Sequence, residues 1–223
     1  MMINLFSTFD PATSMNTSMN WLSLTMPLLL IPLTMWSTSS QHQMIQKIIS
    51  TKIYTEISSM NIKTPKGTIT MLFSILWFIM ISNTTGLLPY TFTASSHLCI
   101  STSLALTAWL SLNMFAWIKK TNHMLTHMLP LGTPTSLMMF MVCIETISNI
   151  IRPLTLAVRL TANMIAGHLL ISLISSSMMN SNLMMMLPIT TTELTLMMLE
   201  TTVAFIQSYV FMTLITLYLN ETN

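Results

Sequence analysis

Residues 141–170, MVCIETISNIIRPLTLAVRLTANMIAGHLL, set Glu145, Arg152, Arg159 and His168 in a run otherwise as apolar as the middle of a bilayer. Charges at that depth cost about 2.5–3.5 kcal/mol each on insertion scales, and by default they mark an ion path, a proton relay or a counter-ion site. At ~100° per helical residue, Glu145, Arg152 and Arg159, spaced by seven, drift only about 20° per step and share one face. Asn163, four residues past Arg159, stays close to that face. His168, nine past Arg159, is turned about 180° away and looks toward a different neighbour.

The rest of the chain resembles this stretch. Of 223 residues only 6% are charged and 52% are hydrophobic, with a mean hydropathy of +0.67. This excludes an ordinary soluble domain and a disordered chain, and predicts an all-α integral membrane protein forming one membrane domain over residues 1–223. The net charge of +2 is too small a balance for nucleic acid binding. Cys99 and Cys143 lie singly in apolar runs without paired spacing, which argues against a disulfide framework or a zinc site and suggests inert packing residues. The segment MMINLFSTFDPATSMN carries no basic leader region and no Arg-rich presequence, so nothing marks it for removal. The 25 methionines fit synthesis inside an organelle.

Residues 19–36 form a first apolar stretch just long enough to span, with Trp21 and Trp36 at its ends and Pro27 and Pro32 expected to kink it. Residues 41–60 place Ile45, Ile48, Ile49, Ile53, Ile57 and Met60 at helical spacing among Lys47, Lys52 and Glu56, which predicts an amphipathic helix lying on the membrane surface. A loop with Lys63, Pro65, Lys66 and Gly67 follows. Residues 68–89 and 98–118 are the second and third spans, roughly perpendicular to the membrane like the first. His123 and His127 then read as part of a solvated loop rather than a metal site, and His97 as an interfacial side chain.

The last two apolar segments are too long for an upright crossing. Residues 135–175 would measure ~62 Å and residues 188–219 ~48 Å, against a hydrocarbon core of ~30 Å. They form a hairpin around the polar turn SSSMMNSN and must be steeply tilted, broken, or both, with Pro153 as the expected break. Such tilt has to be imposed by a partner. The lysines fall in two loops separated by two spans. The basic side is inside, which puts the N-terminus outside and the C-terminus inside.

In the final segment Glu193, Glu200 and Gln207 again stand seven apart. Ordered by depth, His168 and Glu200 fall together toward the outer side, Arg159 and Gln207 near the middle, and Glu145 toward the inner side. Imidazole and carboxyl groups can both exchange protons near neutral pH in such surroundings. A guanidinium does not deprotonate at accessible pH, so it can hold a carboxylate without passing a proton. An arginine between two half-paths is therefore a valve. Arg152 is either a second part of that valve or a group that reaches the inner side or pairs with Glu145. Glu193 is either solvated near the outer turn or a lining residue of the inlet.

The run IRPLTLAVRLTANMIAGHLL, followed by ETTVAFIQSYVFMTLITLYL, resembles subunit a of the F-type ATP synthase in its mitochondrial form. The resemblance covers essentially the whole chain, including the FDP start and the GLLPY hairpin, and RLxANMxAGH is its most specific signature. It implies a non-catalytic stator subunit without cofactor or metal, lying in the lipid bilayer against a rotating c-ring and beside peripheral-stalk and other small membrane subunits. It further implies that Arg159 faces the ring carboxylate, that His168 and Glu200 form the outer half-channel pair, and that Asn163 and Gln207 accompany the arginine. Glu145 would stand at the inner exit. The implied location is the mitochondrial inner membrane, with the N-terminus in the intermembrane space and the C-terminus in the matrix. Two other function classes can also bury charges: a proton-coupled secondary transporter, for which repeat symmetry is missing, and a haem-carrying respiratory subunit, for which facing histidines are missing.

Overall fold

Continuous apolar runs leave the backbone one way to satisfy its own polar groups inside a membrane, the α-helix. The computed structural model describes residues 5–14, 16–30, 38, 40–60, 66–88, 91–129, 134–179 and 182–222, and every regular element among them is helical. The α-helices are α1 (Met26–Leu30), α2 (Gln41–Met60), α3 (Lys66–Gly86), α4 (Leu98–Lys119), α5 (Thr121–Met128), α6 (Met138–Met179) and α7 (Leu183–Thr222), with short 3-10 turns at Leu5–Phe9, Met19–Leu24, Ala94–Ser96 and Thr135–Leu137. Four of them, α3, α4, α6 and α7, are long and apolar enough to cross a membrane.

The core forms where apolar residues repeat every three or four positions. Ile69, Leu72, Leu76 and Ile79 of α3 meet Phe211, Met212, Ile215 and Leu219 of α7, with Leu156, Ala157 and Leu160 of α6 and Ala105 of α4 filling in. Both long helices thus have a face held by protein. Their other faces leave residues such as Ile150, Leu154, Leu194 and Met198 exposed on the chain. Buried hydroxyls are tolerated on these helices because they bond back to their own backbone: Thr161 Oγ1 donates to Val158 O at 3.0 Å, and Ser208 Oγ to Phe205 O at 2.7 Å.

Several expectations change on contact with the structure. The segment from residue 19 is a 3-10 turn followed by α1, in which Pro27 sits in the opening turn, where its missing N–H costs nothing. Residues 31–37, with Pro32 and Trp36, lie outside the described residues, as do Lys63 and Pro65. Lys66 and Gly67 open α3 instead of lying in a loop. Pro153 does not break α6, which runs uninterrupted for 42 residues. A proline removes one N–H, and the turns beyond it are clamped by the buried Leu156, Ala157 and Leu160. The expected polar turn shrinks in the same way, since α6 continues to Met179 and α7 starts at Leu183. The expected solvated loop of His123 and His127 is helix α5, packed against α4 and α6. Cys99 and Cys143 are free thiols but exposed on the chain, so neither packs in its core.

Helix α2 covers the residues expected to be helical there. Ile57 is buried and Tyr54 stacks edge-on with Phe73 of α3 at 6.3 Å, while Met44, Ile45, Ile48 and Ile49 are left exposed. Asn220 Nδ2 donates to Met60 O at 3.0 Å, tying the end of α7 to the end of α2. At the opposite end the α3–α4 connection folds inward, burying Thr93, Ala94, Ser95 and Ser96 beside α6. There His97 stacks with Trp21 at 5.1 Å and Phe92 at 5.2 Å.

Candidate functional site

The heptad stripe of α7 lies on that helix's buried face. Glu200 is 5% exposed and Gln207 6%, flanked by the buried Ala204, Ser208 and Phe211. A carboxyl group withdrawn this far needs a neighbour that leaves it room. Gly167 of α6 does so: a Cβ there would collide with Glu200 Oε1 and stand 2.7 Å from Cδ. The absent side chain lets the carboxyl lie against the α6 backbone, a close approach that glycine alone permits. The next residue, His168, then brings Nε2 to 3.9 Å from Glu200 Oε1. At that separation a small rotation of either side chain brings the two within hydrogen-bond distance, across which a proton can pass. The imidazole also meets the ring of Phe9 in a T-shaped contact, centroids 6.5 Å apart.

One helical stretch away, Asn163 Nδ2 donates to Gln207 Oε1 at 3.2 Å, joining α6 and α7 a second time. Arg159 stands one turn before Asn163 and is exposed, making no hydrogen bond or ion pair with any described residue. The structure therefore separates the two groups as their spacing predicts: His168 turns toward α7 while Arg159 turns off the chain. Along α6, Arg159 lies about 13 Å from the level of His168 and about 21 Å from that of Glu145.

Glu145 is half-buried near the start of α6. The Arg152 guanidinium stands over the Tyr218 ring of α7, 5.2 Å from its centroid. Glu193, half-buried on α7 two turns from Glu200 toward the hairpin turn, is not brought into contact with the pair. Among the described residues no three His, Cys, Asp or Glu side chains converge as metal ligands.

Two positions escaped sequence reasoning. Gly167 lies inside the signature run, and its signal was a glycine in the middle of an apolar helix, a marker of close approach. Asn83 of α3 is completely buried, and neither end of its amide meets a described protein partner. A single amide in a span as apolar as α3 is the only sign the sequence carried.

A sequence profile of the ATP synthase A chain family matches residues 15–220. The chain is 48% identical to ATP synthase subunit a of Anopheles quadrimaculatus and 46% identical to that of Drosophila melanogaster, in each case over 100% of both chains. Subunit a of Locusta migratoria is 46% identical over 99% of both.

Proposed function

This chain belongs to the ATP synthase A chain family and is thus a multi-pass, proton-translocating subunit of the membrane sector in the mitochondrial inner membrane, and from that premise we propose how its residues move protons. His168 and Glu200 form the inner end of an inlet that opens toward the hairpin turn. Glu145 marks an outlet at the other end of α6. Arg159 stands between them and faces a carboxyl group on a separate rotating body, the c-ring.

The observation that carries this reading is the contrast between the two charged groups. The carboxyl of Glu200 is packed between α6 and α7 beside an imidazole, whereas Arg159 is exposed and its guanidinium has no partner among the described residues. A cation held at membrane depth without an internal anion calls for an external one. A mobile carboxylate that has released its proton is attracted to Arg159, and the guanidinium gives it no proton back. It departs only after taking a proton from the His168–Glu200 side, then travels through lipid as a neutral acid and releases the proton toward Glu145. Each charge crossing 100 mV releases about 2.3 kcal/mol, which supplies the torque. Asn163 and Gln207, bonded to each other, keep the two helices in register beside Arg159.

Peripheral-stalk and other small membrane subunits would cover part of the exposed apolar surface, and the c-ring would impose the tilt that α6 and α7, each ~60 Å long, require in a ~30 Å core. The bond from Asn220 to Met60 supports the orientation, because it sets the end of α7 beside the lysine-bearing surface helix on the matrix side. The N-terminus then lies in the intermembrane space. Replacing Arg159 by lysine in the intact complex tests the valve. ATP synthesis and ATP-driven proton pumping are expected to stop while the complex still assembles, because a point charge on a flexible stem does not reproduce the planar fork. Coupled synthesis at the unmodified rate in Arg159→Lys would refute the reading.

A further inference from the structure

The N-terminal segment has no place in the mechanism so far, yet it touches the proton pair. The 3-10 turn Leu5–Phe9 packs against α6, and its last residue sets the Phe9 ring at 86° to the His168 imidazole. The segment is held from behind. Asp10 Oδ1 accepts a hydrogen bond from Ala12 N at 3.1 Å, and Asn20 Nδ2 donates to Asp10 O at 3.3 Å, so the backbone beside Phe9 is fixed twice. His168 therefore has both the Phe9 ring, centroids 6.5 Å apart, and Glu200 of α7, 3.9 Å from Nε2, as neighbours.

An imidazole on a helix has two torsions, and neither ring nitrogen passes a proton to Glu200 unless the ring is turned toward it. His168 Nε2 has no hydrogen-bonding partner among the described residues that would hold that orientation. The T-shaped contact with the Phe9 ring is one that can. Edge-to-face packing is directional, whereas an aliphatic side chain of similar size would fill the space without setting an angle.

We propose that Phe9 is a positioning residue for proton transfer, its ring holding the His168 imidazole turned toward Glu200. The segment around it thereby acts as a wall of the inlet. The proposal rests on the reading that protons pass through His168 and Glu200. The charged or titratable groups placed around the imidazole are Glu200 from α7 and, on the N-terminal segment, Asp10, which is exposed.

The test uses the whole ATP synthase in membrane vesicles carrying Phe9→Leu, Phe9→Tyr or His168→Ala, with synthesis normalised to assembled complex and followed against pH on the inlet side. Phe9→Leu is expected to lower the rate by a factor of about 2 to 10, the worth of an edge-on aromatic contact, and to displace the pH profile. Phe9→Tyr, which keeps the ring, is expected to restore both. An unmodified rate and profile in Phe9→Leu, or a loss that Phe9→Tyr fails to restore, overturns the role of Phe9. If Phe9→Leu reduces the amount of complex, the rate per assembled complex still decides, and an unchanged one overturns the proposal. His168→Ala separates the two readings: if it too leaves synthesis intact, the inlet assignment itself fails.

Discussion

Replacing Gly167 by alanine adds one methyl group at the point where α6 and α7 share a carboxyl. The new Cβ would collide with Glu200 Oε1, stand 2.7 Å from Cδ and lie 3.1 Å from Cγ, so the carboxyl has to swing away. Glu200 is 5% exposed, which leaves it no open direction except off its present rotamer, at about 0.5–1.5 kcal/mol. Against this, alanine is favoured over glycine in a helix by about 0.8–1.0 kcal/mol. The two effects nearly cancel, so the complex is expected to assemble. Transfer is different. The pair already stands at 3.9 Å, and a further displacement of ~1 Å between reacting groups lowers a rate by about 100-fold. ATP synthesis per assembled complex in Gly167→Ala vesicles should therefore fall between about 10- and 100-fold, with subunit content unchanged. Gly86→Ala is the control, because the atoms nearest its Cβ are the Thr93 methyl at 3.1 Å, Thr93 Cβ at 3.6 Å and Met164 Cε at 3.7 Å, none of them a proton-carrying group. It should stay within about twofold of the unmodified rate. Normal synthesis in Gly167→Ala would refute the claim that Glu200 works from the position beside the α6 backbone.

The remaining expectations concern the pair and the core. Exchanging His168 and Glu200 together should lose less coupled transport than either single substitution, measured as a double-mutant cycle on ATP-driven pumping, and additive losses would mean that the two act independently. Phe211→Ala, which empties a site 1% exposed between α3 and α7, should destabilise the subunit by about 3–5 kcal/mol and appear as lost assembled complex rather than as a slower complex of normal abundance. Arg159→Lys should show the reverse pattern, normal abundance without coupling.

Much of this was legible because membrane helices obey few rules. Residues 41–60 had helical periodicity without enough hydrophobicity to span, and α2 occupies those residues. The seven-residue spacing of Glu200 and Gln207 put both on one stripe, and that stripe is buried. The half-turn between Arg159 and His168 follows from helix geometry alone, and it survives folding. Helix ends were less legible. Pro153 was expected to break α6, and the residues around His123 were read as a loop, because local propensity was weighed without the packing that overrides it.

By itself, the sequence determined an all-α membrane protein, its long apolar helices and the candidate residues for its chemistry, because burial in lipid forces periodicity and makes every retained charge conspicuous. Only the tertiary structure decided which of those charges find partners. It closed His168 onto Glu200 across two helices, set Arg152 over Tyr218 and left Arg159 without a partner among the described residues. It also gave Gly167 and Phe9 their places, since a missing side chain and an aromatic edge matter only to what another part of the chain brings against them. Distances between helices depend on how whole faces pack, and no spacing along one helix contains that information.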